Sequence, residues 1–237
     1  MSYIGGKARA KWLYPFLNHE HFNNLDYIEP FVGKANVLMN IKNKRSYTAS
    51  DNEPMIINLL QNIQANNLSY PFIEKEEYLK LKSNPSLDYN KACFAAYTYV
   101  YLGEKFTAYF DGRWIPRTNY YSKLHNNPVF QSAKISVADY RIYEGVENAI
   151  IYCDPPYAGT SVRYGEYFEN EKFWEWVKEL SKKNFVFVTE YNAPSFMMPI
   201  FQKRQTISFM RNKGSHRIEK LFVCNKELVE IFPIAIT

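Results

Sequence analysis

The sequence predicts an α/β protein built on a mostly parallel sheet and interrupted by an inserted, mainly helical block. Three observations carry this prediction. Strand-like and helix-like segments alternate from residue 26 to residue 64, the alternation stops over 66–133, and it resumes at 134. Strict alternation of this kind favours a parallel sheet with right-handed crossovers.

The elements read as follows. Gly6 to Leu17 reads as a helix with Pro15 late in it. DYIEPF (26–31) reads as a buried strand ending at Gly33, and Ala35 to Ile41 as the helix after it. SYTAS (46–50) is a short strand ending at Asp51, followed by a helix from Glu53 to Gln64. Within 66–133 lie a charged stretch, EKEEYLKLK (74–82), and an aromatic-rich helix from Lys91 to Tyr101. FTAYFDGRWIPRTNYYSK follows, where Asp111-Gly112 between alternating apolar residues predicts a β-hairpin. The block therefore reads as an insertion with its own small fold. The β/α pattern resumes in KISVADY (134–140), AIIYC (149–153), a helix from Glu169 to Lys182, and FVFVTE (185–190), and it closes with the pair QTISFM and EKLFVCN. Residues 1–65 and 134–237 then form one domain and 66–133 the insertion.

Composition narrows the class. Of 237 residues, 46% are hydrophobic and 22% charged, which excludes a disordered chain. The longest apolar stretch, Cys93 to Leu102, is too short to cross a bilayer, and MSYIGGKARAKW lacks the apolar core of a secretory signal. Three widely spaced cysteines without a Cys-x-x-Cys pair suggest neither a disulfide framework nor a zinc site, so a reducing, cytoplasmic setting is expected. Four histidines without ligand spacing add no metal site, and none is expected. The net charge of +5 is compatible with a polyanionic partner.

The stretch with most chemical content is IIYCDPPYAG (150–159). Two prolines cannot belong to an interior strand, because they lock φ and donate no hydrogen bond. Asp154 thus falls at a strand's carboxyl end, where open α/β sheets bind ligands. Asp154, Pro155, Pro156 and Tyr157 offer an ionised acceptor, a carbonyl held in one direction by the next proline, and a flat aromatic face. Those are the needs of a site that grips a planar amine, although a stiffened loop alone would explain the prolines. Likewise the strand-Phe31-Val32-Gly33 turn lets a ligand approach the backbone, and Asp51 is placed to bind ribose hydroxyls. No GxGxxG follows the first strand, which disfavours a nicotinamide cofactor.

DPPY is the signature of amino-methyltransferases acting on nucleobases, and the chain resembles, from end to end, the Dam-type, D12-class DNA adenine-N6 methyltransferases. YIGGK (3–7) resembles that family's N-terminal cofactor motif, EPFVGKANV (29–37) its FxGxG motif, SDNEP (50–54) the acidic motif, and VADY (137–140) the segment before DPPY. Lys34 and Ala35 stand where the family has glycines, so the loop is expected to be less open. The resemblance implies a Rossmann-like methyltransferase sheet with a target-recognition insertion. It also implies S-adenosylmethionine as donor, with Tyr3, Lys7, Phe31, Gly33, Asp51, Asp139, Tyr140 and Asp154 lining its site. Double-stranded DNA is the implied partner, with a cognate restriction endonuclease as a possible second one. Arg113, Arg117 and Asn119, from the predicted hairpin, become candidates for base contact, and Tyr164 an aromatic that closes over the site. The basic cluster Arg211, Lys213, His216, Arg217 fits either phosphate contact or a solvated loop. Methylation of cytosine N4 or of RNA adenine, and a catalytically dead DNA-binding module, remain the alternatives.

Overall fold

The computed structural model describes residues 10–69, 71–100, 105–156, 168–206 and 216–232, without the side chains of residues 113, 205, 206, 216 and 217. Tyr3, Lys7, Tyr157, Tyr164, Arg211 and Lys213 therefore lie outside the described residues, as do the side chains of Arg113, His216 and Arg217.

Among the described residues, seven strands form one sheet: β1 (Asp26–Glu29), β2 (Ser46–Asp51), β3 (Lys134–Val137), β4 (Ala149–Cys153), β5 (Phe185–Glu190), β6 (Met198–Thr206) and β7 (His216–Val223). Their spatial order is β3-β2-β1-β4-β5-β7-β6. All pairs are parallel except those of β7, which runs antiparallel to both β5 and β6. β4 is buried along its whole length, as its unbroken apolar run requires of a central parallel strand. This is the predicted mostly parallel α/β sheet of Rossmann-like type.

Helices cover both faces. On one, α7 (Asn170–Leu180) buries Phe173, Trp176, Val177 and Leu180 against Ile151, Val186 and Val188. That stripe has helical spacing, with charged residues on the opposite side. On the other face lies α2 (Pro54–Gln64), which starts at Glu53 as predicted. The Glu53 carboxylate accepts from the Met55 N–H and so satisfies one of the helix's orphan donors.

The insertion contributes α3 (Lys75–Ser83), α4 (Tyr89–Thr98), α5 (Trp114–His125) and α6 (Pro128–Ser132). Its buried residues, among them Tyr78, Phe94, Tyr121 and Leu124, belong to one apolar cluster with Leu59, Ile63 and Tyr152. The inserted block thus shares its core with α2 and the sheet.

Three expected elements differ. The hairpin at Asp111-Gly112 is a helix: Asp111–Arg113 makes a 3₁₀ turn that runs directly into α5, and among the described residues strand pairing there is a bridge between Val100 and Tyr109. Pro116 occupies the first turn of α5, where its missing N–H costs nothing, so Trp-Ile-Pro starts a helix as readily as it edges a strand. Ala35 to Ile41 forms only a 3₁₀ turn, Leu38–Asn40, because Gly33 (φ 48°) and Ala35 (φ 57°) take left-handed conformations that no right-handed helix tolerates. Of the expected helix from Gly6 to Leu17, residues 6–9 lie outside the described residues, and the rest is a 3₁₀ turn, Lys11–Leu13, followed by the short α1, Tyr14–Leu17, with Pro15 in its first turn.

Candidate active site

The strand order reverses between β1 and β4: the chain moves from β1 outward through β2 and β3, and from β4 outward through β5 in the other direction. Such a switch point leaves a crevice outside the carboxyl ends of the two central strands. Three loops meet its rim, after β1, β2 and β4.

The loop after β1 turns at Gly33, whose φ of 48° is costly for any residue with a Cβ. Among the described residues, a Cβ placed there would meet nothing within 4 Å, so the space they leave over the turn is open. Ala35 adopts the neighbouring left-handed conformation at a cost of roughly 1–2 kcal/mol. The turn is clamped by Asp51 at the end of β2. One carboxylate oxygen accepts from the Gly33 N–H at 3.0 Å, and the other from the Glu53 N–H at 3.0 Å. Burial pushes the Asp51 carboxyl up to about 6 against the lowering effect of these hydrogen bonds. The loop after β2 is tied on by the Ala138 N–H, which donates to the Asp51 carbonyl at 3.1 Å.

Phe31 lies against Tyr140, with ring centroids 5.6 Å apart, and against Phe168 and Phe173 at 6.0 and 5.7 Å. Tyr140 packs in turn on Trp176 at 5.0 Å. The expected pair Phe31 and Tyr140 is therefore one aromatic wall beside the crevice. Asp139 caps the turn Tyr140–Tyr143 by accepting from the Arg141 N–H at 2.9 Å, and it pairs with the Arg141 guanidinium at 2.7 Å.

Asp154 follows β4 directly and is half-buried, with Pro155 buried and Pro156 half-buried behind it. The Thr189 hydroxyl donates to Asp154 Oδ1 at 2.9 Å. The structure brings Phe31, Gly33, Asp51, Asp139, Tyr140 and Asp154 to one end of the sheet.

The burial of two charged residues of this region was not read from the sequence. Glu29, the last residue of β1, is only 2% exposed and accepts from the Tyr27 hydroxyl at 2.8 Å. Burial, and further the charge of Asp154, push its carboxyl well above the usual range. Lys34 is 6% exposed and lies over the Tyr97 ring at 5.3 Å, with its carbonyl accepting from the Tyr120 hydroxyl of α5 at 2.7 Å. Both signals were present in EPFVGK, as charges inside a segment that otherwise reads as buried.

The insertion alters one candidate. On α5, Arg117, Tyr121 and Leu124 fall on the inner face, and Arg117 is 4% exposed. The base contact expected of Arg117 assumed a hairpin arm, and on a helix the same position turns inward. Asn119, two residues on, is exposed. Trp114, Ile115 and Pro116 at the start of α5 form with Phe72, Asp111 and Gly112 an apolar surface pocket of about 470 Å³.

A doubly wound sheet with an open glycine turn, a clamped acidic residue and an Asp-Pro-Pro segment around one crevice defines a Rossmann-like methyltransferase. Residues 3–190 match the D12 class N6 adenine-specific DNA methyltransferase family, and the chain belongs to that family. Among solved structures the chain is similar to the rRNA methyltransferase aviRa from Streptomyces viridochromogenes, at 13% identity over 98% of this chain and 89% of that one, with a TM-score of 0.43. It is also similar to a precorrin-6y C5,15-methyltransferase from Geobacter metallireducens GS-15, at 6% identity over 91% and 86%, with a TM-score of 0.40. An rRNA methylase from Streptococcus thermophilus matches at 6% identity over 90% and 95%, with a TM-score of 0.39. No curated protein matches the sequence significantly.

Proposed function

We propose that the enzyme transfers a methyl group from S-adenosylmethionine to N6 of an adenine extruded from double-stranded DNA at a short recognition sequence. The observation that carries this reading is the meeting of Asp154-Pro155-Pro156 with the Gly33 turn and its Asp51 clamp at one switch point. The open space over Gly33, the acceptor at Asp51 and the aromatic wall of Phe31 and Tyr140 suit an adenosyl group. Tyr3 and Lys7 belong to the motif that, in the family, meets the methionine end. When bound, the donor supplies an electrophilic sulfonium methyl.

Adenine N6 is a poor nucleophile because its lone pair is delocalised into the ring. The Asp154 carboxylate and the Pro155 carbonyl accept its two hydrogens, favour a tetrahedral nitrogen and stabilise the positive charge that develops there. A carboxylate is far too weak a base to form an amide anion first, so the proton leaves after transfer. Pro156 keeps the Pro155 carbonyl in one direction, since a residue before proline is confined to extended conformations. Tyr157 stacks on the base, which must leave the duplex to reach the pocket.

Incubation with labelled donor and unmethylated duplex DNA, followed by digestion to nucleosides, is expected to place label on N6-methyladenosine. Label on N4-methylcytosine would replace adenine by cytosine as the target. DNA retention on a filter without label transfer would identify a binding module.

The Asp51 carboxyl gives donor binding a pH dependence. A protonated oxygen accepts poorly from a ribose hydroxyl, so donor affinity should rise with pH through about 6. The expected change between pH 5 and pH 7 is on the order of tenfold. Titration calorimetry at the two values reads it, and a flat affinity removes Asp51 from donor binding.

Recognition is assigned to the segment where Arg113 leads into α5, and to the exposed Asn119. Arg113→Ala and Asn119→Ala should each relax sequence choice by ~1–3 kcal/mol per lost base contact. Sequencing of methylated DNA from expressing cells measures this, and unchanged patterns in both variants place recognition elsewhere. A cognate restriction endonuclease would be one blocked by the same methylation.

A further inference from the structure

We propose that Thr189 and Tyr152 are positioning residues for methyl transfer, forming a buried two-hydroxyl relay that fixes the plane of the Asp154 carboxylate. This rests on the assignment of Asp154 as acceptor of the target amine.

The strand register creates the relay. β4 and β5 are parallel, and their last paired residues are Cys153 and Val188. One step further along both strands, Asp154 and Thr189 lie side by side. Thr189 and Phe187 share a face of β5, and Phe187 packs in the same cluster as Tyr152. The Tyr152 hydroxyl accordingly lies 3.0 Å from Thr189 Oγ1, which lies 2.9 Å from Asp154 Oδ1.

The chemistry of the groups sets the direction of each bond. A carboxylate can only accept, so the single hydroxyl hydrogen of Thr189 points to Asp154. The Cys153 carbonyl competes for that hydrogen only at 3.4 Å. Thr189 Oγ1 is then left to accept, and the Tyr152 phenol must donate to it. Burial keeps that phenol protonated, since it holds the Tyr152 pKa well above its usual value. Tyr152 and Thr189 are both 0% exposed, so solvent does not reach either hydroxyl. Donors in series polarise one another, and a bond to a charged acceptor is roughly twice as strong as a neutral one.

The functional consequence follows from the aspartate's freedom. Rotation of a carboxylate about its last torsion is broad and shallow, and proline cannot restrain it because Pro155 fixes only the backbone. A hydroxyl anchored in the core can. A misplacement of about 1 Å at a reacting group costs on the order of 10²-fold in rate.

Thr189→Val keeps the shape and removes the hydroxyl. Its single-turnover methyl transfer is expected to fall by about 30–100-fold, with the affinities for donor and for DNA within about twofold of wild type. Thr189→Ser should recover transfer to within about threefold, which a role confined to packing would not produce. Tyr152→Phe, which removes the upstream donor, should slow transfer by about 3–10-fold.

Wild-type transfer in Thr189→Val overturns the proposal. Should that variant fail to fold, as read by its melting curve, Tyr152→Phe decides: a rate within twofold of wild type overturns the relay. Asp154→Ala measured in parallel separates the two readings. Activity in Asp154→Ala removes the assignment of the site itself, whereas an inactive Asp154→Ala beside a fully active Thr189→Val removes only the relay.

Discussion

Asp154→Ala is expected to lower methyl transfer by at least ~10³-fold while leaving donor-independent DNA retention largely intact. The carboxylate stands at the end of the central strand β4, where a hydroxyl from β5 donates to it. Its removal deletes an acceptor aimed at charge that develops only as the methyl group arrives, and interactions of that kind appear in the rate and not in ground-state binding. Rapid-quench single turnover with saturating donor and DNA measures the chemical step directly. A variant that turns over at the wild-type rate would show that some other group draws the amine forward.

Asp51→Asn should have the second largest effect, because the substitution is isosteric yet chemically wrong on one side. The two carboxylate oxygens accept from the Gly33 and Glu53 N–H groups. A side-chain amide can accept only through its oxygen, so its NH₂ would face one of these donors and leave it unpaired. The expected cost is about 1–3 kcal/mol in unfolding free energy. Because Gly33 carries the turn over which the adenosyl group is proposed to lie, donor affinity should fall by ~10–100-fold, as a lost bond to a charged group implies. The remaining affinity should no longer change between pH 5 and pH 7. Calorimetric titration of the variant reads both, and an affinity equal to that of the wild type would detach the clamp from donor binding.

Much of the sheet was legible from residues alone. β2, β4 and β5 begin and end within a residue of where SYTAS, AIIYC and FVFVTE place them. For β4 and β5, nearly continuous apolar runs between breakers leave little choice when both faces are buried. The antiparallel pair at the end was legible in its second member, since EKLFV of EKLFVCN lies on β7; of QTISFM, residues 207–210 lie outside the described residues, and β6 begins earlier, at Met198. Its pairing partner, not its composition, sets that boundary. The hairpin and the helix after Gly33 were misread for a common reason. Each was inferred from a local signal, Asp-Gly in one case and apolar spacing in the other, that tertiary packing overrode. Tyr120 and Tyr121 of α5 bond to Lys34 and Thr98, contacts that only a helix delivers together.

The sequence by itself determined the order of the strands, the acidic residue after β4 and the acidic residue after β2, because these depend on residue type and spacing within a few positions. Only the tertiary structure decided which polar groups meet. Thr189 reaches Asp154 from 35 residues away because parallel register aligns two strand ends. Arg117 turns inward because α5 replaces a hairpin, and Glu29 is forced towards its neutral form because β1 ends inside the core. Each of these is a fact about neighbours distant in the chain, and long-range pairing leaves no mark on the local pattern from which a sequence is read.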